Sequence, residues 1–355
     1  MIIIKPFARS AFALLLVGCL LLLACTKANN TAQPIVKEEV YAFGTLVNIT
    51  LYGLPEEKAY QIIGAVVNDF SYLENVWHPW KAGSLGRVNQ LLPTKAAFST
   101  GPNIIKLIIE ARKLSHTSDN YFNPAIGGLV KLWGFHQDEM PIGPPPSQVD
   151  IDNILKQKPS LDNLDIKGFT ITSNNEAVIL DFGGFAKGYA VQQVIDHIKE
   201  LGATNAIINV GGDLHVIGNK AGEPWRIGIR NPRGEGILAS IAVEGSESVF
   251  TSGDYERFYE YQGKRYHHIL DPNTGFPVQG VSSVTVVHSS PATADAAATA
   301  LFVAGPTHWQ RIAKQMGVHQ VMLIDDQGVV YMTPEMQQRI RFEIEPRPEI
   351  IVQQL

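Results

Sequence analysis

The sequence predicts an α+β fold, with mixed β-sheets and helices packed against them. Three observations lead there. Short β-branched runs such as Thr45-Leu-Val-Asn-Ile-Thr-Leu-Tyr52 alternate as half-buried strands do. Between such runs stand segments with apolar residues at helical spacing, of which Ile62, Ile63, Val66, Val67 and Phe70 are the clearest. The 355 residues are 45% hydrophobic and 18% charged, against ~25% charged in an average soluble domain. That composition excludes a disordered chain and supplies a large core.

Residues 1–24 read as an export signal. Lys5 and Arg9 precede the apolar run Ala11 to Ala24, which is short for a bilayer span of ~20 residues. The run ends Leu22-Leu23-Ala24-Cys25, a small residue followed by cysteine, which resembles a bacterial lipoprotein signal lipidated at Cys25. An ordinary secretory signal is the alternative. The other cysteine, Cys19, lies inside the signal, so the exported chain would have no intramolecular disulfide. Residues 25–39 are expected to be the lipidated cysteine and a flexible tether. Loss of Lys5 and Arg9 takes the formal charge from -5 to -7. An acidic chain lacks the basic excess of a nucleic-acid binder.

Tyr41–Tyr52 is expected to be one strand. Pro55 and Glu56 then open a helix that runs through Phe70, and Gly101-Pro102 leads into another, Ile104 to Ser115. Prolines between Met140 and Gln148 mark a loop and a subdivision near 140–150. Val178–Leu180 reads as a short strand that passes through a glycine turn into a helix, Tyr189–Leu201. Ala206–Val210, Trp225–Arg230, Ile237–Val243 and Ser282–His288 read as strands, and Asp295–Val303 as an apolar helix. Gln320–Leu323 and Val329–Met332 form a hairpin around Asp326-Gln327-Gly328. The folded domain is placed at 40–340, with 341–355 as a C-terminal tail.

Four clusters could carry chemistry. Asp181-Phe-Gly-Gly-Phe-Ala-Lys-Gly-Tyr189 is a glycine turn before a helix, able to cradle a phosphate or simply to turn tightly. It is neither a Walker loop nor a dinucleotide fingerprint. Asn209-Val-Gly-Gly-Asp213 ends an apolar strand, a place for a ligand or for packing. Thr251-Ser-Gly-Asp-Tyr255 precedes the pair His267-His268, of which a strand would turn only one toward a site. A histidine there could serve as a general base or sit satisfied in the core. Asp295 and Thr299, four apart on a helix, offer hard oxygens to Mg²⁺ or Ca²⁺. The alternative is an aspartate opposing a helix dipole.

Order and spacing add what the single motifs lack. Phe43-Gly-Thr45, Tyr121-Phe-Asn-Pro124, Leu132-Trp-Gly-Phe135, Asp181 to Tyr189, Asn209 to Asp213, Thr251 to Tyr255, His268-Ile-Leu-Asp-Pro272 and Ala294 to Thr299 follow one another over residues 40–335. This series resembles the ApbE family, bacterial FAD:protein FMN transferases. The resemblance implies an enzyme that uses Mg²⁺ to move FMN from FAD onto a Ser or Thr of an exported or membrane-bound flavoprotein subunit, releasing AMP. Many members are exported lipoproteins, which fits the lipid anchor read at Cys25, facing the periplasm or outer face; no nucleic acid is expected, from the acidic composition.

Residue by residue, the resemblance makes Asp295 and Thr299 metal ligands, with backbone oxygens at Gly184 and Ala298. His268 matches the family's catalytic histidine. Asp181 and Lys187 match FAD contacts, and Phe43, Trp80 and the stretch Tyr121, Phe122, Asn123 fall where the family holds the flavin nucleotide. Phe43 stands where Met is usual, Asn123 and Ala125 replace an Asp and a Thr, and Gln192 replaces an Asp. Competing expectations are an FAD pyrophosphatase, a non-catalytic FAD-binding lipoprotein, and a serine hydrolase using Ser252, His268 and Asp271.

Overall fold

A computed structural model describes residues 34–355. The signal segment and Cys25 lie outside the described residues.

Nine strands form the main sheet, and they stand in it in chain order. They are β1 (Ile35–Ala42), β2 (Thr45–Tyr52), β3 (Ala206–Val210), β4 (Asp213–Gly218), β5 (Gly245–Gly253), β6 (Val281–His288), β7 (Gln320–Asp325), β8 (Val330–Met332) and β9 (Ile350–Val352). Every neighbouring pair is antiparallel except β8 and β9. Four main helices are α1 (Glu56–Trp77), α2 (Pro102–Thr117), α3 (Ala186–Glu200) and α4 (Pro291–Gln315). Helix α4 is two helical segments that meet at Gly305, where φ is 62°, and Pro306.

The alternation of strand side chains sorts the core into two faces. On β7, Val321 and Leu323 join the helices' apolar cluster, while Met322 and Ile324 face a smaller sheet. That smaller sheet is the hairpin Trp225–Arg230 with Ile237–Val243, plus Ile340–Phe342. Covered on both faces, β6 buries seven of its eight residues. Helix α1 turns Ile62, Val66, Phe70 and Leu73 inward at helical spacing. Full burial of each such side chain stabilises by about 1.5–3 kcal/mol.

Several expectations are corrected. The single strand Tyr41–Tyr52 is a hairpin: Ala42 pairs with Thr45 across a two-residue turn, with φ 53° at Phe43 and 71° at Gly44. Two positive φ angles in such a turn match the twist of the flanking strands. The supposed tether 25–39 enters the sheet at Ile35 as β1. The supposed tail 341–355 contributes β9, which pairs in parallel with β8. Val178–Leu180 makes only a single bridge, Ile179 to Ile126. No division falls near 140–150, because Ile35–Leu355 forms one compact unit and the proline loop joins two of its helices.

Candidate active site

The segments that were expected to carry chemistry meet at one cavity. Its walls include Tyr121, Phe122, Asn123, Asp181, Gly184, Lys187, His268, Asp295 and Thr299. The turn between β3 and β4, the end of β5 with the connection after it, and the first turns of α4 converge there. A third apolar cluster, built on Trp133, Phe135, Tyr259 and Tyr266, supports one side. Trp133 is 2% exposed and donates its indole N–H to the Gly275 carbonyl at 2.7 Å, so within the Leu132-Trp-Gly-Phe135 motif Trp133 is framework while Phe135 lines the cavity.

Asp295 sits where α3 and α4 touch. Its Oδ2 accepts the Gly188 N–H at 2.7 Å. Gly188 lies in the first turn of α3, whose N-terminal N–H groups lack intrahelical partners and favour negative charge. The aspartate thus caps the neighbouring helix rather than its own. A Cβ on Gly188 would stand 2.4 Å from the Pro291 carbonyl oxygen and 2.6 Å from Asp295 Cβ, so only glycine permits this approach. Burial pushes the Asp295 carboxyl well up, and the Asp213 carboxylate adds to the effect against the opposing Lys187 charge.

Lys187 pairs with Asp213. Burial disfavours its ammonium, but the charges of Asp213, Asp295 and Glu256 more than offset that and push its pKa up. Asp213 also accepts the Thr251 N–H at 2.9 Å, which ties the turn after β3 to β5. Thr299 Oγ1 lies 3.3 Å from Ser252 Oγ. A Cβ on Gly184 would stand 2.8 Å from Thr299 Oγ1, which puts the glycine turn against the helix face bearing Asp295.

The adjacent histidines differ in surroundings, His267 being the last residue of the strand Lys264–His267 and His268 the first beyond it. His267 is buried, its Nε2 bonded to the Val278 carbonyl at 2.7 Å. His268 lines the cavity. Its Nδ1 lies 3.2 Å from the Arg257 carbonyl oxygen, which can only accept, so Nδ1 carries the proton and Nε2 keeps its lone pair. Burial, with the neighbouring His267 and Arg257 charges, holds the imidazole below its usual pKa and therefore neutral. This arrangement corrects the serine-hydrolase expectation. The histidine is oriented by a backbone carbonyl, Ser252 faces Thr299, and Asp271 Oδ1 caps the Asn273 N–H at 2.8 Å.

Other expected residues lie further out. Trp80 is outside the cavity wall but donates its indole N–H to Asp181 Oδ2 at 3.0 Å; Asp181 Oδ1 accepts the Gly183 N–H at 2.8 Å. Burial raises the Asp181 pKa against these two hydrogen bonds. Asn123 spends its side chain locally, donating to the Pro159 carbonyl and accepting from the Ala125 N–H, both at 3.0 Å. Phe43 does not reach the cavity wall, and its ring meets Phe70 edge-on at 6.1 Å. Ala298 is buried and also outside the wall, and Gln192 faces Asp196 on α3. Glu256 and Arg257 line the cavity although no motif singled them out. Their signal was position alone, directly after Thr251 to Tyr255.

Among the described residues, no three His, Cys, Asp or Glu side chains are grouped to hold a metal ion. Asp295, Thr299 and Gly184 line the same cavity and between them carry one carboxylate, one hydroxyl and one backbone carbonyl. Such hard donors suit Mg²⁺ or Ca²⁺. A buried carboxylate whose charge is disfavoured is complemented by a small cation, so the residues fit one.

Fold and site together define a class, an α+β protein that gathers acid, base and cation around one polar cavity. The profile described as the ApbE family matches residues 43–323. The FAD:protein FMN transferase of Rhodobacter capsulatus is 37% identical over 338 residues, 94% of this chain and 64% of that protein. The chain thus spans just under two thirds of that relative's length. The FAD:protein FMN transferase of Vibrio cholerae serotype O1 is 31% identical over 248 residues, 69% of this chain and 73% of the relative. The crystal structure of the ApbE protein of Thermotoga maritima superposes with a TM-score of 0.78 at 28% identity, covering 87% of this chain and all of that one. The flavin transferase ApbE of Vibrio cholerae gives 0.76 at 26% identity, covering 86% and 99%. The chain belongs to the ApbE family.

Proposed function

We propose that this protein is an Mg²⁺-dependent FAD:protein FMN transferase, exported and lipid-anchored through Cys25 on the periplasmic or outer face. Its acceptor would be a Ser or Thr of an exported or membrane-bound flavoprotein subunit. The observation that carries the reading is the neutral, Nδ1-protonated His268 on the same cavity wall as Asp295 and Thr299.

The transfer is a phosphoryl displacement. The acceptor hydroxyl gives its proton to His268 Nε2, its oxygen bonds to the FMN-side phosphorus, and the bond from that phosphorus to the bridging oxygen breaks to release AMP. The dianionic diphosphate of FAD raises the proton affinity of a neutral imidazole beside it, which makes His268 a stronger base in the complex than in the free protein. Asp295, Thr299 and the Gly184 carbonyl would hold Mg²⁺. When bound, the ion supplies positive charge next to the diphosphate. Lys187 keeps the Asp213 and Asp295 carboxylates compatible with one another, and Tyr121 and Phe122 supply an aromatic wall for the nucleotide. Asp181, steadied by Trp80, would orient the nucleotide by hydrogen bonding.

Mass spectrometry on the chain from Thr26 onward, with FAD, Mg²⁺ and a candidate flavoprotein subunit, tests this. An acceptor mass gain of one FMN phosphoester, absent with Asp295→Ala, is expected. FMN and AMP without acceptor modification across a panel of such subunits would make the protein an FAD pyrophosphatase. FAD binding without turnover would leave a binding protein.

A further inference from the structure

Six charged side chains line the cavity: Asp181, Lys187, Asp213, Glu256, Arg257 and Asp295. Four are acidic and two basic, a poor environment for a diphosphate. Lys187 is already engaged by Asp213. Arg257 makes no salt bridge among the described residues. One of its terminal N–H groups donates to the Gln137 carbonyl at 2.6 Å. A guanidinium has five donors in a rigid fork, so that bond fixes its plane and leaves donors free.

Its position is also informative. The Arg257 carbonyl accepts both the backbone N–H of His268, at 3.0 Å, and the His268 ring N–H. Its charge acts on Asp181 and on His268 alike. The guanidinium therefore lies within electrostatic reach of both the glycine turn and the histidine.

We infer that Arg257 is the residue that recognises the diphosphate of the dinucleotide, discriminating phosphorylated flavins from the bare flavin. This deepens the transferase reading and rests on it. The backbone of Arg257 sets the histidine tautomer while its side chain holds the anion, so one residue aligns base and substrate. Arg–phosphate pairs are suited to this because they can form two parallel charge-assisted hydrogen bonds. A purely structural arginine, tethering the 137 loop, would make the same bond to Gln137 but would not distinguish among ligands.

Binding by calorimetry and flavin fluorescence separates the two. FAD, ADP and riboflavin would be titrated into the wild-type chain, Arg257→Gln and Arg257→Lys, with Mg²⁺ present. Arg257→Gln is expected to weaken FAD and ADP by about 10- to 100-fold and riboflavin by less than about twofold. Arg257→Lys, which keeps the charge and loses the fork, should recover part of the loss. Equal weakening of FAD and riboflavin, or unchanged ADP binding, would overturn the assignment. Wild-type protein that binds ADP through Arg257 but not FAD would keep the anion site and refute the flavin reading. Binding neither would refute both.

Discussion

A buried carboxylate and two low-pKa histidines define what single residues can be asked to do. Asp295→Asn keeps an oxygen for the Gly188 N–H, so the fold should survive with a melting temperature close to wild type. On the proposed Mg²⁺-dependent reading, turnover of FAD should fall by on the order of 100-fold or more, because the proposed cation site loses its one carboxylate. Preserved melting with lost AMP release is the readout. A second prediction concerns pH. Burial, with the Lys199 charge adding to it, pushes His215 from its ordinary 6.5 down to about 3. Its neutral ring is held between Ser248 and Ser246, at 2.8 and 3.0 Å. The folded value is below the unfolded one, so its stabilising contribution is complete above pH about 6.5 and is lost as pH falls toward 3. Denaturant titrations from pH 6 to 4 should show His215 contributing a slope of up to about 1.4 kcal/mol per pH unit, absent in His215→Gln. At this scale Asp295 and His268 were legible only through the order of the motifs around them, since each alone reads as well as a helix aspartate or a core histidine; both line the cavity. The sequence was silent for Arg257, because an arginine after a tight turn is commonplace until its neighbours are known.

Helix contacts set the next scale. The approach of α3 to α4 depends on Gly188, and Gly188→Ala should cost about 1–3 kcal/mol and displace Asp295 from its N–H donor. A comparison variant, Gly64→Ala on α1, has open space around its new methyl and should stabilise the protein by about 0.5–1 kcal/mol. Thermal melts of the two should move in opposite directions. Most elements could be placed from periodicity, and α1, α2 and the strands β3 and β6 fall close to where the pattern puts them. The hairpin β1–β2 was not separable, because its turn is Phe43-Gly44 and phenylalanine is an unusual residue at positive φ. Its ring packs on Phe70, so tertiary contact supports a turn that local preference does not announce. Val178–Leu180 looked like a strand because it is apolar and buried, yet it borders the glycine turn and finds only the Ile126 bridge.

At the scale of the whole folded unit, Ile35–Leu355, the first and last described strands form the two edges of the main sheet. The edge strands β1 and β9 come from segments that composition assigned to a tether and a tail, since short polar-flanked runs carry no signal of which edge they will join. Shortening the chain to begin at Tyr41 bares the backbone of β2, and ending it at Glu349 bares that of β8. Each shortened chain should melt several degrees lower, at about 2–4 °C per kcal/mol lost for a domain of this size, and should aggregate more readily through the exposed edge. Light scattering during the melt would register the second effect.

The sheet order has a practical corollary for labelling. From β1 to β9 there are eight inter-strand steps of roughly 4.8 Å, so the two edge strands lie at most about 40 Å apart, less by whatever the sheet's twist takes up. The last residues are held on α4, where Gln310 donates to the Gln354 carbonyl at 3.0 Å. A fluorophore or affinity handle added after Leu355 thus departs from a point fixed against α4. Reporter distances taken from it to a surface near the amino-terminal side would read the orientation of the folded unit rather than the wandering of a loose tail.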